Sequence, residues 1–166
     1  MTLRALLLTL LPKVLLSRLC GAFAAMPLPR AVRAPFYGWF ARRYGAELEQ
    51  VKEPLQSYRS LQAFFQRELV AGARPVATTP FVWPCDGRIV TCGPVRKGRI
   101  EQVKGHDYAL ADLLADRELA ETLRDGSQAT VYLAPGDYHR VHAPFDLLVE
   151  KVTAVPGTLF PVNPPA

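Results

Sequence analysis

Residues 1–46 hold seven basic side chains, Arg4, Lys13, Arg18, Arg30, Arg33, Arg42 and Arg43, and no acidic one. They stand among leucines, alanines and aromatics. The other 120 residues carry 13 basic and 15 acidic side chains, so the whole surplus of +5 belongs to the N-terminal segment. A basic domain built to grip nucleic acid spreads its charge over a folded face. Cations set between leucines and aromatics point instead to an anionic membrane surface. The longest uncharged run falls short of the roughly 18 residues that a spanning helix needs. A secretory signal peptide has Arg4 and Ala22-Phe23-Ala24 in its favour, but Lys13 and Arg18 break its apolar core. A helical lid with solvated arginines and a protein-docking segment are the competing readings.

Pro12 separates two short helices, one before it and one after it. A third is expected after Pro35, where Phe36, Tyr37, Trp39, Phe40 and Tyr44 alternate with Arg42 and Arg43. That mixture suits the headgroup boundary. Residues 45–59 form a polar connector. Ser60 reads as the N-cap of a helix over 61–69, closed by Gly72 and Pro75.

From Phe81 the texture changes to short β-like runs between turn residues, over 81–83, 88–92, 100–103, 130–133, 140–143 and 148–155. One or two helices are expected over 109–115 and 117–124, closed by Asp125-Gly126. The fold class is α+β: N-terminal membrane-associating helices, then an antiparallel β-rich core. The division is a basic apolar helical segment over 1–46 and a β-rich domain over 47–166. Strands with unpartnered edges call for more chain, so the core is expected to be incomplete at its C-terminus. Cys20, Cys85 and Cys92 are too few and too scattered for a disulfide framework or a structural zinc site.

Three constellations have the residue types of chemistry. His139 and His142 lie in Tyr132-Leu133-Ala134-Pro135-Gly136-Asp137-Tyr138-His139-Arg140-Val141-His142-Ala143-Pro144. On a strand, residues three apart face opposite ways, so the two imidazoles need not share a task. Asp137, His139 and His142 have permissive spacing for a metal, but no cysteine is near and Pro135-Gly136 argues against a helix. Asp86 precedes Gly87 in Trp83-Pro84-Cys85-Asp86-Gly87-Arg88. An Asp-Gly pair is first of all a turn. An aspartate held there can also orient a histidine, either His139 or His142. Lys104 and His106 flank Gly105 before a helix start, in a loop suited to an anion or simply to water.

Taken in order, these motifs closely resemble the phosphatidylserine decarboxylase family, of the bacterial membrane-associated type. The resemblance runs through Leu11-Pro12-Lys13, Phe64-Phe65-Gln66-Arg67, Pro84-Cys85-Asp86-Gly87 and Gln102-Val103-Lys104-Gly105-His106-Asp107-Tyr108. It continues through the Tyr138-His139-Arg140-Val141-His142 block and Pro156-Gly157-Thr158-Leu159-Phe160-Pro161-Val162-Asn163. The Tyr-His-Arg-x-His block is its most specific part.

The resemblance implies a proenzyme that cuts itself at a serine and leaves a pyruvoyl group on the new chain. That ketone is the electron sink for converting phosphatidylserine to phosphatidylethanolamine and carbon dioxide. It implies Asp86 and His142 as the orienting acid and general base of self-cleavage, and His139 in the decarboxylation step. Tyr138, Lys104 and His106 are the implied substrate-pocket residues, and no metal is implied. The implied partners are phosphatidylserine, an anionic membrane and a pyruvoyl-bearing small chain, with no nucleic acid. A homo-oligomer is compatible with it, and the implied location is peripheral, on the cytoplasmic face of the cell membrane.

The family's Gly-Ser-Thr-type motif has no counterpart at Ser17, Ser57, Ser60 or Ser127. The chain therefore corresponds to the N-terminal part of the large chain, and alone it is expected to be inactive. Leu147 stands where the family often has glycine. A non-catalytic membrane-surface module of the same fold is the alternative, and a metal enzyme built on Asp137, His139 and His142 ranks last.

Overall fold

The computed structural model describes residues 12–101 and 107–155. The helix expected before Pro12, residues 102 and 103 of an expected strand, Lys104, His106 and the 156–163 motif lie outside the described residues. The described chain forms two compact units, residues 12–77 with 151–155, and residues 78–150.

In the first unit, α1 (Lys13–Ala25) begins after Pro12, as expected, and ends where Met26 turns extended. No helix among the described residues is long and apolar enough to cross a membrane. Helix α2 (Arg30–Tyr44) starts well before the expected point and carries Pro35 inside it. Pro29 leads into the helix, and its carbonyl accepts from Val32 N at 3.0 Å. The guanidinium of Arg33 donates to the Leu28 and Gln56 carbonyls, each at 2.9 Å, which ties the first turns down. Those contacts offset the bond that Pro35 removes. Gly45 ends α2 at φ +75, its N–H on the Ala41 carbonyl at 2.8 Å. Arg42 and Arg43 lie at the negative end of the helix dipole.

Tyr37, Phe40, Tyr58 and Phe64 make the core of this unit. The Tyr37 and Phe64 rings stack at 4.6 Å, and Tyr58 meets both edge-on. The Tyr37 hydroxyl donates to the Tyr58 carbonyl at 3.1 Å. Tyr37 and Phe40, expected at a headgroup boundary, are thus core residues, whereas Trp39 stays half exposed.

Ser60 caps α3 (Leu61–Phe65), its Oγ accepting from Ala63 N at 3.2 Å. The helix stops short of the expected Leu69. Residues 68–70 instead pair with 50–52, through Lys52 N to the Glu68 carbonyl at 3.0 Å and Val70 N to the Gln50 carbonyl at 2.8 Å. The polar connector supplies that partner segment, a single bridge at Val51–Leu69, and two 3₁₀ turns, Leu48–Gln50 and Leu55–Ser57.

In the second unit, β1 (Arg88–Pro94) pairs antiparallel with β4 (Ser127–Tyr132), from Arg88 opposite Tyr132 to Pro94 opposite Ser127. Ile89 faces Val131 and Thr91 faces Thr130, so Val90 is the extra residue of a bulge. A second antiparallel ribbon joins β2 (Arg99–Glu101) to β3 (Asp107–Ala109), and the sequence had not signalled β3. Helices α4 (Leu110–Leu114) and α5 (Arg117–Thr122) follow, as expected. Asp116 caps α5 by accepting from Leu119 N at 3.0 Å. Val95, Ile100, Leu110 and Ala120 form the core between them.

Helices with antiparallel strand pairs make this an α+β chain, but three expected strands are not strands. Residues 81–83 and 140–143 run side by side without a ladder, because Pro84 and Pro144 have no N–H to donate. Residues 148–155 carry no regular structure. Leu148 and Val152 are 84% and 85% exposed, so this run has no buried face to hold it in register.

Candidate active site

The β1–β4 ribbon gathers the candidate residues at one end. Asp86-Gly87 enters β1 and residues 133–142 leave β4, and both lie beside the Arg88–Tyr132 pair. Gly87 adopts φ +124, and a Cβ on it would lie 2.5 Å from the Tyr132 carbonyl oxygen. Only glycine fits that approach, so the Asp-Gly turn is built into the ribbon's end.

Beyond β4 the chain turns at Pro135-Gly136. Asp137 N donates to the Ala134 carbonyl at 2.9 Å, and Ala134 N donates back to Asp137 Oδ2 at 2.7 Å. The Asp137 carboxylate therefore closes a turn. No cluster able to hold a metal ion occurs among the described residues. The turn delivers Tyr138, His139 and His142 in quick succession.

His139 Nδ1 donates to the Asp137 carbonyl at 2.9 Å. A carbonyl only accepts, so Nδ1 carries the proton and Nε2 is the basic nitrogen of the neutral ring. Tyr138 is buried, with its hydroxyl 3.1 Å from His142 Nε2. Its ring stacks on the imidazole at 5.6 Å and 21°. The His142 N–H donates to the Pro84 carbonyl at 2.7 Å, and Val82 N–H to the Pro144 carbonyl at 2.9 Å. Phe81 and Phe145 meet edge-on at 5.2 Å and close this seam. The seam sets His142 beside Pro84, two residues from the half-buried Asp86.

Four of the six candidates, Asp86, Tyr138, His139 and His142, thus come from opposite ends of the sequence of this unit to one end of a ribbon. Lys104 and His106 lie outside the described residues. Sequence reasoning missed the Pro84 carbonyl, for which no sequence signal exists, and the strict demand for glycine at 87, for which the Asp-Gly pair was the signal. Between Pro84 and Asp86, partial burial and the Asp86 carboxylate push the Cys85 thiol up, so it stays protonated and poorly nucleophilic. A cleft of about 520 Å³ opens near the other end of the ribbon, between Thr91, Arg96, Lys97 and Gln128, and none of Asp86, Tyr138, His139 and His142 lines it.

The profile of the phosphatidylserine decarboxylase family matches residues 61–166. The chain belongs to the phosphatidylserine decarboxylase family. It is 48% identical over 158 residues to a phosphatidylserine decarboxylase proenzyme of Pseudomonas aeruginosa (strain LESB58), covering 93% of this chain and 54% of that protein. A proenzyme of the same description from Herminiimonas arsenicoxydans is 43% identical over 157 residues, and one from Shewanella loihica is 42% identical over 159. These matches cover 93% of this chain and 53% and 55% of the two proteins. The chain spans about half the length of the curated relatives that it matches. The family match over residues 61–166 takes in Asp86, Tyr138, His139 and His142.

Proposed function

We propose that this chain supplies the acid–base half of a phosphatidylserine decarboxylase centre, which releases carbon dioxide from phosphatidylserine to leave phosphatidylethanolamine. The observation that carries the reading is the meeting of Asp86-Gly87 with Tyr138, His139 and His142 at one end of the ribbon, in a chain of this family. Asp86 orients His142 and stabilises its charged form, and His142 Nε2 takes the proton of a serine hydroxyl. His139, with its Nδ1 committed to the Asp137 carbonyl, offers Nε2 to the substrate carboxylate or to the carbon that must be protonated.

The residues present fit a pyruvoyl group as its surroundings but not as its source. Ser60 Oγ caps α3, Ser57 Oγ donates to the Pro54 carbonyl at 2.7 Å, and Ser17 lies within α1. Ser127 pairs with Pro94, at the opposite end of β4 from Tyr132. On this reading the pyruvoyl-forming serine is none of these four and belongs to the part of the relatives' length that this chain does not match. When present, the pyruvoyl ketone supplies the electron sink for loss of carbon dioxide.

Lipid access has its own support. Helix α1 leaves Leu15, Leu19 and Phe23 exposed, α2 leaves Trp39 exposed, and the charged side chains of residues 1–46 are all basic. Apolar side chains at a cationic surface bind an anionic bilayer peripherally, here at the cytoplasmic face of the cell membrane. A non-catalytic surface module would need the helices alone, and the ribbon-end constellation favours the enzyme.

The test joins this chain to the second half of the Pseudomonas aeruginosa relative. The joined protein should cut itself and release carbon dioxide from carboxyl-labelled phosphatidylserine, and the 166-residue chain alone should do neither. His142→Ala and Asp86→Ala should block self-cutting. His139→Ala should cut yet release little gas. A folded joined protein that neither cuts nor decarboxylates, beside an active intact relative, would sink the reading.

A further inference from the structure

Tyr138 is fixed on His142 in two ways, by a 3.1 Å contact from its hydroxyl to Nε2 and by ring stacking at 5.6 Å. Neutral imidazole has one N–H and one lone pair, so this contact bears on which nitrogen holds the proton. A phenol is a strong O–H donor, and its oxygen is a far poorer acceptor than an imidazole nitrogen. The favoured bond is therefore O–H to Nε2, which leaves the ring proton on Nδ1. From the other side, the His142 N–H on the Pro84 carbonyl fixes the backbone that carries the ring.

We propose that Tyr138 is a positioning residue that holds neutral His142 in its Nδ1–H tautomer. This rests on the reading of His142 as the base for self-cutting, and it assigns Tyr138 a task other than lining a substrate pocket. A histidine base needs a lone pair on the nitrogen facing its nucleophile and an N–H facing its carboxylate. The Tyr138 hydroxyl selects that form before any serine arrives. An incoming serine hydroxyl replaces the phenol at Nε2 and finds the required tautomer already in place. Burial of the Tyr138 side chain and its stacking on His142 hold the hydroxyl at Nε2.

The experiment is long-range proton–nitrogen NMR on the full chain labelled at histidine nitrogen, at a pH where imidazole is neutral. The chain has three histidines, and His106→Gln and His139→Gln, each removing one, assign all three signals. The expected result is His142 mainly protonated on Nδ1. Tyr138→Phe keeps the stacking and loses the hydroxyl. It should move the His142 tautomer ratio toward Nε2–H by about fivefold, the worth of one ordinary net hydrogen bond. The His139 tautomer should not move, since its bond is to the Asp137 carbonyl.

His142 mainly protonated on Nε2 in the unaltered chain would overturn the inference, whether or not the variant folds. An unchanged ratio in folded Tyr138→Phe would overturn it too. Self-cutting of the joined protein reads the function separately. The expected tautomer with no cutting counts against the function alone, and the reverse tautomer with normal cutting counts against this inference alone.

Discussion

Gly87 lies against the backbone of Tyr132 so closely that a single added carbon would sit 2.5 Å from the Tyr132 carbonyl oxygen. The same glycine holds φ +124. Gly87→Ala should therefore destabilise the second unit by about 1–3 kcal/mol from backbone strain alone, with the clash added. Gly21, within α1, has nothing within 4 Å of such a carbon. Gly21→Ala should raise stability or helix content by the equivalent of about 0.5–1 kcal/mol. Urea unfolding followed by circular dichroism compares the two. Equal effects from both glycines would refute the assignment of strain to Gly87.

Removal of a core ring should be far more costly. Phe64 is fully buried and stacks on Tyr37, also fully buried, at 4.6 Å. Phe64→Ala should cost about 3–5 kcal/mol, and Trp39→Ala, on the exposed side of α2, within about 0.5 kcal/mol. Denaturant midpoints measured away from lipid give both numbers.

The same core sets an alkaline limit. Burial pushes the Tyr37 and Tyr58 hydroxyls up, partly opposed for Tyr37 by the Arg33 charge. The unfolded chain releases those protons first, near the ordinary tyrosine value of 10.0. Stability from this source is complete below that pH and falls as the pH rises through the raised folded values. Unfolding free energies at several alkaline pH values should show the decline, and Tyr37→Phe should flatten it. An undiminished slope in that variant would remove Tyr37 from the account.

The three thiols should differ in rate. Cys20 and Cys92 are exposed, whereas partial burial and the Asp86 carboxylate disfavour the Cys85 thiolate. Cys85 should be the slowest to alkylate with iodoacetamide at mildly alkaline pH. Asp86→Asn removes one cause of the upward push, so it should speed Cys85 and leave Cys20 unchanged. Peptide mass spectrometry after timed quenching reads each site, and no acceleration at Cys85 would place the carboxylate elsewhere.

Much of the local structure was legible. Pro12 before α1, Ser60 before α3 and the 88–92 run inside β1 act through neighbours in sequence, so their signals are local. Two of the misses share one cause. Helix α3 stops at Phe65 because 68–70 pair with 50–52, and 148–155 is no strand because no buried face holds it. Both depend on what lies opposite, which residue order alone does not contain. Within the candidate site, His139 and His142 were visible as residue types. The bonds that aim them, to the Asp137 carbonyl and from the Tyr138 hydroxyl, come from turn geometry.

The order of residues by itself determined the basic apolar start, the α+β texture, the family and the short roster of acid–base side chains. Each is a matter of composition, spacing or wording along one line. Tertiary structure alone decided that Tyr37 and Phe40 are core, that Asp137 closes a turn, and that Asp86 and His142 lie at one end of a ribbon. The last of these follows from antiparallel pairing of β1 with β4, which joins residues 33 to 44 positions apart once their backbone groups must find partners.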